Sequence, residues 1–136
     1  MSGRLENKTA LITGAARGIG LEFAKSYVLE GARVCIADID IDRARFEAEK
    51  LGECAYAVHI DVRDQHSIDI AVDQVISRFG QIDILVNNAA LFSAAPIVEI
   101  ERSDFQTLID VNVSGPLFMM QAVAKHMIEQ NVKGKI

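Results

Sequence analysis

The sequence predicts an alternating α/β fold, a doubly wound parallel sheet with helices on both faces. Three observations carry that prediction. Short Val- and Ile-rich runs alternate with longer amphipathic runs, each amphipathic run closes at a glycine, and a glycine-rich turn stands directly after the first apolar run. Strand, helix, strand, helix in this rhythm requires right-handed crossovers and a parallel sheet.

The predicted strands cover residues 8–13, 33–37, 55–60 and 82–86, each short and mostly apolar on both faces, as strands covered on both sides must be. Predicted helices fill 19–30 and 41–51, ending at Gly31 and Gly52. A third begins at Asp64, a plausible N-cap, and carries Ile68, Val72, Val75, Ile76 and Phe79 on one stripe before Gly80. The last is expected to open on Ser103-Asp104-Phe105-Gln106, which has capping-box spacing, and to run on through Met127 and Ile128. Within it Pro116 has no N–H for the carbonyl of Asn112, so a kink is expected at Gly115-Pro116, made either for packing or for function. Gly134 would close that helix and Lys135-Ile136 would open a fifth strand. The expectation is therefore a truncated sheet of about four strands, with the fourth left as an exposed edge.

Composition excludes more than it assigns. The 136 residues are 50% hydrophobic and 24% charged, ordinary for one globular domain able to bury a core. A net charge of −5 gives no attraction for nucleic acid or an anionic membrane surface, so neither is expected as a partner. Residues 1–8 are polar and lack the apolar centre of a signal peptide, and no apolar run approaches the roughly 18 residues of a membrane span. Cys35 and Cys54 lack CxxC spacing, and both fall in stretches that read as buried strands. Small apolar fillers in a reducing, cytoplasmic compartment are the expectation, with no metal site. His59, His66 and His126 are too scattered to change that.

The chemistry concentrates at Thr13-Gly14-Ala15-Ala16-Arg17-Gly18-Ile19-Gly20, between the first strand and the first helix. Glycines there permit a tight turn, close backbone approach to a pyrophosphate and close helix–strand packing, while the helix N-terminus attracts phosphate charge. Asp38 ends the second strand, where a carboxylate can accept from adenosine ribose hydroxyls and repel a 2′-phosphate; the competing reading is a solvated loop acid. Together these point to a Rossmann-type dinucleotide site, with strands ordered 3-2-1-4 and the ligand at the switch between strands one and four.

The glycine spacing is G-x-x-x-G-x-G, and here the sequence resembles the short-chain dehydrogenase/reductase family over essentially its whole length. The resemblance implies an adenine contact at Asp61-Val62 and matches Asn87-Asn88-Ala89-Ala90 to the family's N-N-A-G motif, with Ala90 in place of the usual glycine. It also matches Asn112 to the helix asparagine of the catalytic tetrad, whose carbonyl holds a water in a proton relay. Residues 87–92, 95–100 and 112–124 resemble the family's polyol dehydrogenases, which implies NAD-dependent hydride transfer between a nicotinamide and a polyol such as sorbitol or galactitol, giving a ketose. A basic residue such as Arg17 often meets the NADP 2′-phosphate in the family, but Asp38 argues for NAD. Homodimers or homotetramers are implied for a full-length parent.

The family's Ser and its Tyr-x-x-x-Lys pair are not in these residues: Tyr27 and Tyr56 are followed four positions on by Gly31 and Ile60. The chain thus reads as the dinucleotide-binding half of a single domain, inactive by itself. Other readings stay open: a 3-oxoacyl-carrier-protein reductase-like enzyme, a non-catalytic NAD-binding module, or a truncation product. A methyltransferase is disfavoured by Thr13-Gly14 and Asn87-Asn88-Ala89.

Overall fold

A computed structural model describes residues 3–136; Met1 and Ser2 of the polar N-terminal stretch lie outside the described residues. Four strands, β1 (Thr9–Thr13), β2 (Arg33–Asp38), β3 (Ala55–His59) and β4 (Ile84–Val86), form one parallel sheet in the order β3-β2-β1-β4. The helices are α1 (Gly18–Leu29), α2 (Ile41–Leu51), α3 (Gln65–Phe79), α4 (Arg102–Ile109) and α5 (Gly115–Glu129).

Alternation along the strands builds two cores. Ala10, Ile12, Val34 and Ile36 point to one face and pack with Leu21 and Ala24 of α1 and Ala44 and Ala48 of α2. Leu11, Cys35 and Ala37 point to the other, against Ile68, Val72 and Val75 of α3 and Met119, Val123 and Met127 of α5. A side-chain period of two sends neighbouring residues to opposite faces, so every residue of β1 is buried.

The α3 boundaries follow their signals. The Asp64 carboxylate accepts from the His66 N–H, and Gly80, at φ 89°, gives its N–H to the Ile76 carbonyl. The fourth strand is shorter than predicted, pairing with β1 over Ile84–Val86 alone; just before it Asp83 meets Thr9 twice, its carboxylate accepting the Thr9 N–H and its own N–H donating to the Thr9 carbonyl, both at 2.9 Å. The expected fifth strand does begin. Lys135 pairs with Ile84 in parallel, donating to the Asp83 carbonyl and accepting from the Leu85 N–H, so β4 has a partner at this point.

Three expectations are corrected. The capping box does not form: α4 starts at Arg102, Ser103 sits inside it, and the Gln106 amide bonds Asp110 instead. Nor do α4 and α5 make one kinked α-helix. A π turn over Asp110–Ser114 intervenes, with the Gly115 N–H reaching the Asp110 carbonyl, and Pro116 falls in the first turn of α5. Cys35 is buried, its thiol pKa pushed up by desolvation, but Cys54 is exposed, because it lies in the turn ahead of β3 rather than in the strand.

Candidate functional site

The C-terminal ends of β1, β2 and β4 and the turn after β3 surround one cleft of about 470 Å³. It is lined by Gly14 and Arg17 from the glycine-rich turn, Asp38 at the end of β2 and Ile39 after it, the stretch 60–63, the stretch 88–91, and Val111. A cleft at this switch of strand order is where open α/β sheets place their ligands.

The floor is made by backbone approaching backbone. Gly14 has φ +64°, and a Cβ on it would lie 2.8 Å from the Ala89 Cα. At Gly20 a Cβ would stand 2.5 Å from Asn88 Nδ2 and 2.6 Å from the Gly14 carbonyl oxygen, so only glycine lets α1 approach the turn this closely. Asn88 ties the two strands' ends together: its Nδ2 donates to the carbonyls of Thr13 and Gly14, both at 3.0 Å. The Thr13 hydroxyl accepts from the N–H groups of Asn88 and Ala89 and donates to the Val86 carbonyl.

The rim carries charge of both signs. Each Asp38 oxygen accepts a backbone N–H at 3.0 Å, one from Ala16 and one from Asp40. Asp61 is gripped by Arg63, with contacts of 2.6 to 3.2 Å to both oxygens, and this hydrogen bonding lowers the Asp61 pKa against the opposing effect of partial burial. The N-terminus of α1 has neither a side-chain cap nor an acid in its first turn, so its leading N–H groups and Arg17 present positive potential. On the opposite wall Asn112 holds Leu91 by two bonds of 2.8 Å, accepting from its N–H and donating to its carbonyl.

Of the residues singled out in the sequence, Gly14, Arg17, Asp38, Asp61, Val62, Asn88 and Ala89 line the cleft. Gly18, Ile19 and Gly20 lie beside it at the start of α1, Gly20 buried beneath Asn88 and Ile19 exposed. Asn87 and Asn112 are not in the lining; Asn112 acts on it through Leu91. Sequence reasoning missed Ile39 and Arg63. Arg63 had one available signal, a cation two positions after an expected ligand carboxylate. Among the described residues no His, Cys, Asp or Glu cluster could hold a metal ion, and no helix is long and apolar enough to cross a membrane.

The sheet order and the glycine-rich turn, with a carboxylate at the end of β2, define an α/β protein of the Rossmann type. The short chain dehydrogenase family model matches residues 8–136, and the chain belongs to that family. It is 59% identical over 133 residues to a sorbitol dehydrogenase of Cereibacter sphaeroides, covering 98% of this chain and 52% of that protein. To a galactitol 2-dehydrogenase of Agrobacterium fabrum it is 54% identical, with the same two coverages. A 3-ketoacyl-(acyl-carrier-protein) reductase from Brucella melitensis, solved in complex with NADH, superposes with a TM-score of 0.88 at 36% identity, over 93% of this chain and 52% of that one. The chain thus spans about half the length of the relatives it matches.

Proposed function

We propose that this chain is the dinucleotide-binding half of an NAD-dependent polyol dehydrogenase, one that interconverts a sugar alcohol such as sorbitol or galactitol and its ketose. The observation that carries the reading is the Asp38 carboxylate on the rim of a cleft floored by Gly14 and Asn88, with Gly20 packed beneath them. The residues fit such a cofactor: the floor excludes any side chain at Gly14 and Gly20, and uncapped N–H groups of α1 with Arg17 favour a pyrophosphate. Asp38 would accept from the ribose hydroxyls and repel a 2′-phosphate, which selects NAD over NADP. Asp61 and Val62 would border the adenine, with Asp61 kept ionised and oriented by Arg63. When bound, the nicotinamide supplies the hydride acceptor for the carbinol carbon.

On the other wall, the Asn112 carbonyl, which Pro116 cannot serve with an N–H, would hold a water of the family's proton relay. The Asn112 side chain fixes Leu91, and the segment beyond it would flank the substrate. The acid/base Tyr and its Lys are not among these residues, so the 136 residues by themselves would bind without turning over, short by about 10² to 10⁴ in proton transfer alone. The working enzyme would be a cytoplasmic homodimer or homotetramer. Support comes from the sorbitol and galactitol dehydrogenases among the relatives and from the NADH complex of the superposed reductase.

The test is to read the coding sequence past the Ile136 codon and assay its product. NAD-dependent oxidation of sorbitol or galactitol, with an in-frame Ser and Tyr-x-x-x-Lys, is expected. A product that reduces 3-oxoacyl thioesters with NADPH and leaves polyols untouched contradicts the proposal.

A further inference from the structure

Ala16, in the middle of the glycine-rich turn, is held from two directions, by the last residue of β2 and by a residue of α2. Its N–H donates to Asp38 at 3.0 Å, and its carbonyl accepts from Arg43 Nε at 3.1 Å. Arg43 belongs to the first turn of α2, and its own N–H is capped by the Asp40 carboxylate at 3.1 Å. Asp40 in turn gives its N–H to Asp38 at 3.0 Å. A short circuit thus runs from Asp38 through Asp40 to Arg43 and back to Ala16, joining the N-terminus of α2 to the turn across β1 and β2. Arg43 has no carboxylate partner among the described residues, so this bond to Ala16 is the polar contact that directs its side chain.

We propose that Arg43 is a positioning residue of the cofactor site: through the Ala16 carbonyl it holds the glycine-rich turn in its binding shape before ligand arrives. This rests on the dinucleotide reading given above. A turn with glycines at 14 and 18, both at positive φ, has a wide range of backbone states when free. Holding it in one of them lowers the ordering cost of binding without any contact between Arg43 and the ligand.

Side-chain length makes the idea testable. Gln places an amide nitrogen at the level of the Arg Nε without the charge, Met fills the same length with no donor, and Lys keeps the charge. Dissociation constants for NADH would be measured by fluorescence titration on the whole chain and on Arg43→Gln, Arg43→Met and Arg43→Lys, at low salt and at high salt. Thermal midpoints without ligand report on folding. The expected result is that Arg43→Met weakens NADH by about three- to tenfold, the range that one ordinary hydrogen bond spans. Arg43→Gln should restore most of that affinity, the loss should persist at high salt, and unliganded midpoints should match. Equal binding by Arg43→Met and the unsubstituted chain overturns the proposal. So does rescue by Arg43→Lys alone with loss of the effect at high salt, which assigns a bare charge effect. Failure of the unsubstituted chain to bind NADH overturns the dinucleotide reading itself, and this inference with it.

Discussion

The glycine-rich turn and the segment from 90 to 110 both leave the C-terminal ends of strands and flank the same cleft, yet they are finished very differently. Around the turn, Ala15, Ala16 and Gly20 are buried, Thr13 and Asn88 exchange bonds across the strand ends, and Ala16 is tied at both its N–H and its carbonyl. From 90 to 110 no residue is buried, although the stretch holds Phe92 at 89% exposure, Ile97 at 83% and Val98 at 88%. Among the described residues, the side-chain hydrogen bonds that tie it to the rest of the chain are the two between Leu91 and Asn112. The comparison teaches where the site's parts reside. The wall at the glycine-rich turn is completed by its own residues, while the other wall displays apolar side chains that the described residues leave exposed, as interaction surfaces do.

The contrast predicts unequal responses to substitution. Gly20→Val drives a side chain into Asn88 and the Gly14 carbonyl. It should lower stability by about 1–3 kcal/mol and abolish NADH binding, whereas Phe92→Ser should move stability by no more than about 0.5 kcal/mol. Urea unfolding of both variants checks this, and equal losses would break the comparison. A smaller effect is expected from Asn88→Ala, which leaves the Thr13 and Gly14 carbonyls without their side-chain donor. The cost should be about 1–2 kcal/mol, again by urea unfolding, with NADH affinity reduced alongside.

The smallest effect is one of pH. Arg63 holds the Asp61 pKa below its ordinary value, so the folded state favours the carboxylate. The stabilisation from this pair is complete above the ordinary Asp range, near about 4, and is lost as pH falls through the depressed folded value. In Arg63→Met the Asp61 pKa should rise toward that range, and the part of the acid loss of stability that this pair contributes should disappear, leaving a shallower fall below about pH 4. Carboxyl-carbon NMR titration of Asp61 reads it directly.

Much of this was legible in the sequence, for reasons that particular residues make clear. The sheet order followed from the alternation and the glycine spacing, because the middles of β1 and β2 are buried on both faces and hold apolar runs. Gly14, Asp38 and Asn88 were legible because backbone approach and a carboxylate at a strand's end restrict the residue type. Arg43 and Ile39 were not, since an arginine on α2 meets the Ala16 carbonyl only once the chain has folded. The capping box failed for a related reason: α4 buries no residue, so nothing fixes where its first turn must begin, and Gln106 finds Asp110 four residues on. The π turn was hidden too. A proline after a glycine announces that a helix cannot run on unchanged, but not whether it will bend or widen.

The central claim is that the cleft beside Asp38 takes NAD. Equilibrium titration of the chain with NADH and with NADPH, followed by nicotinamide fluorescence, tests it most directly. Saturable binding of NADH, with NADPH at least about tenfold weaker and that gap closed in Asp38→Ala, is the predicted result, about 1.4 kcal/mol of discrimination from one carboxylate. Tighter binding of NADPH, or no saturable binding of either dinucleotide, would contradict it.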